Sequence, residues 1–394
     1  MRVPHVRLHH NLVSVLILAL ALLFAVACSS AAPANPAATP TKAALPKWAK
    51  MGSPEPGIHV FLWGNAPTTE RDLKLAREAG FTWVKQRFEW RYIEGNAKGK
   101  YEWNEPDRIV EAINKAGLKV VARIDNQPKW ARSDKVFPAA GPPDNMEDFG
   151  DFIQALVERY KGRIHAYEIW NEPNLAREWG NKQPNATEYV NMLKVAYKAA
   201  KKADPNALII SAGLSPTTAS GAIATPDAEF LKQMYAAGAK DYFDLLGAHA
   251  AGYKAPPEVG PDEIAQNPKY NHGEPGVGRI YGFRHAEDLR EIMVQNGDAE
   301  KQVAVLEFGW TSDDRPDSPY TWHAVSEQEK ADYLTRAFKF AGENWYPWVG
   351  VMSAIYIPDP NWTKNDEQYY WSITNPDGSS RPAYDALRSF LKLK

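Results

Sequence analysis

Two short strings in this chain set acidic side chains among residues suited to acid–base work: Trp170-Asn171-Glu172-Pro173-Asn174 and Glu307-Phe308-Gly309-Trp310. Cleaving a glycosidic bond needs a proton for a poor leaving group and stabilisation of positive charge at the anomeric carbon. Two carboxyl groups flanking the bond can supply both. One of them must be ionised while the other starts protonated, and a nearby carboxylate raises the pKa of its neighbour. A gap of about 5 Å between them favours direct attack and retention, whereas about 6.5–9.5 Å admits a water and gives inversion. Such a pair needs no metal, and the nine histidines show no metal-ligand spacing. No cofactor is expected.

The frame that must position these strings is legible as a repeat. Beyond Gly57, β-branched or aromatic runs alternate with helical stretches, the pattern of a parallel sheet. Eight strands are predicted: Ile58 to Trp63, Trp83 to Phe88, Lys119 to Ile124, Ala166 to Trp170, Leu208 to Ala212, Phe243 to Ala248, Val303 to Phe308 and Gly350 to Ile357. Helix signals lie between them. Thr69 opens the first helix and Gly80 follows it; Pro106 starts the second and Gly117 closes it; Asp144 with Glu147, and Ser326 with Glu329, form caps. Eight strand–helix pairs predict one (β/α)8 barrel over residues 57–394. An open doubly wound sheet binding a dinucleotide would carry a glycine loop after an early strand. The one similar string, Gly273, Gly276 and Gly278, has no strand before it. In a barrel the strand carboxyl ends converge on one face. Glu172 ends the fourth strand and Glu307 the seventh, on roughly opposite sides. Strict alternation would point Asn171 and Glu172 apart, so the fourth strand is expected to end irregularly, with Pro173 marking the break.

The stretches Ile169 to Asn174 and Val305 to Gly309 resemble the two signature strand ends of the clan A glycoside hydrolases, nearest to families 39 and 5, and the resemblance runs from Gly57 to Lys394. It implies a retaining glycosidase acting on β-linked glycans, with Glu172 as acid/base and Glu307 as nucleophile. It implies further that Asn171 contacts the sugar 2-hydroxyl, that His249 stands at the sixth strand end, and that Arg87 hydrogen-bonds the nucleophile, an ion pair with Glu168 being the other reading of Arg87. The tyrosine that often follows the histidine by two positions is Ala251 here, and Tyr253 is the nearest substitute. Fourteen Trp is a high count, and sugar rings pack their C–H faces on flat aromatics. Trp130 and Trp310 are the first candidates for such stacking, followed by Trp63, Trp371 and Tyr356, with Trp90 and Trp362 also near strand ends; aromatics also fill cores. A catalytically silent glycan-binding barrel would tend to lose the carboxylate pair. A metal-dependent hydrolase would need His and Asp clustered at strand ends.

Arg2 and Arg7, the apolar run Leu12 to Ala27 and the small residues before Cys28 resemble a bacterial lipoprotein signal. Residues 1–27 are thus read as a signal peptide, Cys28 as the lipid attachment point, and 28–56, rich in Ala, Pro, Ser and Thr, as a tether. Cys28 is the only cysteine, which excludes a disulfide framework. A net charge of -2 with interspersed signs gives nucleic acid little to bind. The expected partners are a glycan and a membrane reached through the lipid, the expected place is outside the cytoplasm, and the barrel is expected to be monomeric. The lipoprotein signal implies a bacterium, where sequons such as those at Asn185 and Asn361 are expected to carry no meaning.

Overall fold

In the computed structural model, which describes residues 44–392 except residue 135, eight parallel strands close in chain order into a barrel. They are β1 (Glu55–Val60), β2 (Trp83–Glu89), β3 (Lys119–Asp125), β4 (Ala166–Ile169), β5 (Leu208–Ser211), β6 (Leu245–His249), β7 (Gln302–Phe308) and β8 (Val349–Ala354). The barrel read from the sequence holds, each strand lying within a few residues of its expected place. The signal segment and Cys28 lie outside the described residues. Among the described residues, no helix is long and apolar enough to cross a membrane.

One main helix follows each strand: α1 (Ala66–Glu78), α2 (Asn104–Lys115), α3 (Met146–Arg159), α4 (Ala186–Ala203), α5 (Asp227–Ala236), α6 (His285–Gln295), α7 (Glu327–Asn344) and α8 (Pro382–Leu391). Their ends obey local chemistry. Gly80 and Gly117 take φ of +94° and +71° after α1 and α2, a region open to glycine at little cost. Ser326 and Glu329 form the expected capping box of α7. Two starts differ from expectation. α1 begins before Thr69, because Pro67 fits its first turn and Asn65 precedes it. α3 is capped by Asn145, whose side chain accepts from Glu147 N at 3.2 Å, while Asp144 turns to Ser133 N at 2.8 Å.

Inside the barrel, composition changes with height. The floor is apolar, with Met51, Trp83, Val121, Ile210, Leu245 and Leu306 in one cluster. Met51 enters from the segment before β1, held by Gln302 Oε1, which accepts from the backbone N–H groups of Lys50 and Met51 at 2.9 Å each. The compact unit accordingly begins at Leu45. The sequence boundary at Gly57 falls inside β1, and residues 45–56 belong to the fold rather than to a tether. Above the floor, the next inward positions on β2, β3 and β4 are charged: Lys85, Arg123 and Glu168, then Arg87 and Asp125. Buried charges persist only when paired, and these pairings shape the site.

Candidate active site

β4 stops its regular pairing at Ile169, and the chain then takes left-handed φ at Trp170 (+72°) and Glu172 (+42°). Non-glycine residues pay about 1–2 kcal/mol for this conformation, so surrounding contacts must enforce it. The Trp170 indole donates to Glu178 O at 2.9 Å, and Glu172 N donates to Gly213 O at 3.0 Å. The result is the irregular end expected from the sequence, with Asn171 and Glu172 both lining one pocket. β7 needs a second irregularity. Ala304 and Leu306 face the floor, so alternation alone would turn Glu307 away. Register shifts at Ala248/His249 against β6, and between Val305 and Phe308 against β8, bring it back.

The pocket is about 570 Å³ and draws lining residues from the carboxyl ends of all eight strands, within the usual size of a small-molecule site. Glu172 and Glu307 share it and share His249. His249 Nδ1 lies 3.1 Å from Glu172 Oε1, and Nε2 lies 4.0 Å from Glu307 Oε1. Glu307 is ringed by nitrogen. Lys85 Nζ donates to Oε1 at 3.1 Å, Arg123 Nη1 lies 3.5 Å away and His59 Nδ1 3.7 Å away, all at the same oxygen. Burial pushes the Glu307 pKa up, but Lys85 foremost, with His249 and Arg123, holds it well below the usual carboxylate range. His59 is stacked on Phe61 and edge-on to Tyr356, and burial with the Lys85 charge keeps its imidazole neutral. For Glu172, burial and the Glu307 charge push up, while the hydrogen bond and charge of His249, aided by Arg177 at 3.1 Å from Oε2, bring it below its usual value.

The placement of the expected site residues divides them. Asn171, Arg87, His249, Tyr253, Tyr356 and Trp371 line the pocket with the two acids. Arg87 lies elsewhere than expected in detail. It binds Asp125 at 2.9 Å and Glu89 at 3.0 Å, and it reaches neither Glu307 nor Glu168. The cation between those two is Lys85, 3.0 Å from Glu168 Oε2. Three tryptophans stand apart from the pocket. Trp310 is fully buried against Phe283 and Tyr333 with its indole N–H donated to Ala255 O, so the expected sugar stacking gives way to a core role. Trp130 donates to Glu94 O and packs edge-on to Trp90. Trp63 stacks on Tyr92 beyond the pocket. Residues that the sequence reading passed over are Lys85, Arg123 and His59 beneath Glu307, Arg177 and Glu178 beside Glu172, and Tyr320, His323 and Glu367 on the far wall. For the first three a signal existed: charged or polar residues at inward parity on buried strands. Among the described residues, no group of His, Cys, Asp and Glu could hold a metal ion.

Comparison with known proteins agrees with the fold. Residues 41–239, half of the chain, match the family described as Cellulase (glycosyl hydrolase family 5). The chain is 32% identical over 126 residues to a β-xylosidase of Geobacillus stearothermophilus, covering 29% of this chain and 25% of that one. It is 23% identical over 132 residues to endo-1,4-β-xylanase C of Paenibacillus barcinonensis, covering 29% and 12%. The matches thus span a quarter or less of those relatives. Among solved structures, a family 39 glycoside hydrolase from Bacteroides cellulosilyticus superposes with a TM-score of 0.64 at 22% identity, covering 89% of this chain and 66% of the other. A family 39 β-xylosidase from Caulobacter crescentus gives 0.59 at 18%, covering 86% and 71%.

Proposed function

Since the chain belongs to glycosyl hydrolase family 5, we propose that it hydrolyses O-glycosidic bonds of β-linked glycans by double displacement, with Glu172 as acid/base and Glu307 as nucleophile. The observation that carries this reading is the asymmetry of Glu307. Its cationic and imidazole neighbours converge on Oε1, which holds the group ionised and leaves Oε2 to attack the anomeric carbon. Glu172, across His249, protonates the departing oxygen. Once Glu307 is esterified its charge is gone, so its push on the Glu172 pKa disappears, and Glu172 then takes a proton from the incoming water. Asn171, with its side-chain oxygen buried and without a hydrogen-bond partner among the described residues, is suited to a sugar hydroxyl. Tyr356 and Trp371 supply aromatic wall.

Relatives named as a β-xylosidase and a xylanase make aryl β-xylosides, then β-glucosides, the first substrates to test. Glu307→Gln is expected to abolish turnover. Azide is expected to rescue Glu307→Ala and yield a glycosyl azide of inverted configuration. Full activity of Glu307→Gln would remove the residue from this role. The lipoprotein signal supports action outside the cytoplasm from a lipid tether; fatty-acid labelling of the whole chain, lost in Cys28→Ser, is the expected outcome, and labelling that persists would dismiss Cys28 as the anchor.

A further inference from the structure

Resting on that reading, one feature of the β4–α4 loop is left without a task. Glu172 must carry a proton in the first step and be a carboxylate in the second, yet Arg177 Nη2 sits 3.1 Å from its Oε2. A guanidinium there suits only the second step. The same side chain has another carboxylate in reach, with Arg177 Nε 3.9 Å from Glu178 Oε1. Arg177 is mostly exposed at the pocket rim, free to swing, whereas Glu178 is held. Its backbone oxygen takes the Trp170 indole N–H at 2.9 Å, and the following Trp179 is buried with its indole on Glu188.

We propose that Arg177 is a positioning residue that alternates between two carboxylates: on Glu172 it favours the base form, and swung onto Glu178 it lets Glu172 keep the proton it donates. Glu178 is a suitable second seat. Burial, with the Glu172 charge, pushes it up to about 7, so it gains by receiving a cation. The other groups facing this trio come from several elements: His249 of β6, Glu307 of β7, Arg123 and Asp125 of β3, Tyr320 after β7 and Glu367 after β8. None of these is a freely swinging cation, since Arg123 is tied to Asp125 at 2.6 Å. No atoms are exchanged in the swing. The proton on Glu172 comes from solvent before the first step and from the attacking water in the second.

The test uses pH profiles on an aryl β-glycoside that the wild-type chain hydrolyses. In kcat/KM the alkaline limb reports loss of the Glu172 proton. Arg177→Ala is expected to move that limb up by roughly half to one pH unit, the scale of one solvent-screened charge at contact distance. With a dinitrophenyl glycoside, whose leaving group needs no proton, the acid limb of kcat is expected to move up as well, because Glu172 then acts only as base. Glu178→Gln, which removes the second seat, is expected to move the alkaline limb down. In the Arg177→Ala background Glu178→Gln should move the limb down by less than it does alone, because only the direct effect of the Glu178 charge on Glu172 then remains. Arg177→Lys should fall between wild type and alanine. Lower rates with unmoved limbs, shifts of the two single variants in the same direction, or additive shifts in the double variant would each overturn the proposal. If wild type cleaves no glycoside, or Glu172→Gln keeps the wild-type alkaline limb, the hydrolase assignment fails instead.

Discussion

Lys85 has no exposed surface, and its ammonium group spans Glu168 at 3.0 Å and Glu307 at 3.1 Å. Removing it leaves a buried carboxylate without its cation, which typically costs about 3–5 kcal/mol. It also removes the chief force depressing the Glu307 pKa. If Glu307 is the nucleophile proposed above it must be ionised to attack, so Lys85→Met is expected to move the acid limb of kcat/KM to higher pH, cutting activity at pH 5 by at least about tenfold. Lys85→Arg, measured beside it, should retain more of both stability and profile, and an acid limb unmoved in Lys85→Met would refute the assignment. At this scale the sequence was legible where a residue type is bound to a string. Glu172 and Glu307 stand out because Asn-Glu-Pro and Glu-Phe-Gly end strands. Lys85 was less legible because a strand-end position singles out Arg87, two positions further on and of the same parity. The tryptophans could not be sorted from sequence, since an indole that stacks on sugar and one that fills a core, as Trp310 does, have the same local signature.

At the scale of elements, the long β6–α6 connection is fastened by a buried histidine. His285 opens α6 with Nε2 2.7 Å from Asp227 of α5 and Nδ1 2.9 Å from Asp288, which also takes Arg279 at 2.7 Å. Burial opposes the charged imidazolium, but the two aspartates outweigh it and carry the pKa up to about 9. A pKa raised on folding means that the stabilisation is complete below the unfolded value near 6.5 and is lost as pH rises through about 9. Urea unfolding is therefore expected to show a loss on the order of 3 kcal/mol across that window, and His285→Gln should be weaker at pH 6 and flatter with pH. A wild-type curve level from pH 6 to 9.5 would contradict this. Helix ends were legible to within a turn, and their errors are physical. Competing polar side chains stood side by side, and Asn145 rather than Asp144 reached the first-turn N–H. Asn185, read only as an empty sequon, in fact caps α4 by accepting from Glu188 N at 3.0 Å.

Across the whole molecule, the alternation of strands and helices made the barrel readable, because eight repeats can satisfy their hydrogen bonds by closing. Its N-terminal boundary was hidden because the segment before β1 is tether-like in composition, and among its described residues Met51 is the one that joins the floor cluster. Met51→Ala should cost about 2–5 kcal/mol in unfolding free energy, the usual range for a buried methionine, whereas a true tether residue would cost nothing measurable. The apolar floor that Met51 completes has one more consequence. With its lower end corked by hydrocarbon, the barrel opens at its upper face among the described residues, and under the proposed mechanism glycan, product and hydrolytic water all cross that same threshold. In a double displacement traffic through it would be sequential, so whatever governs departure of the first fragment would also set when water can take its turn.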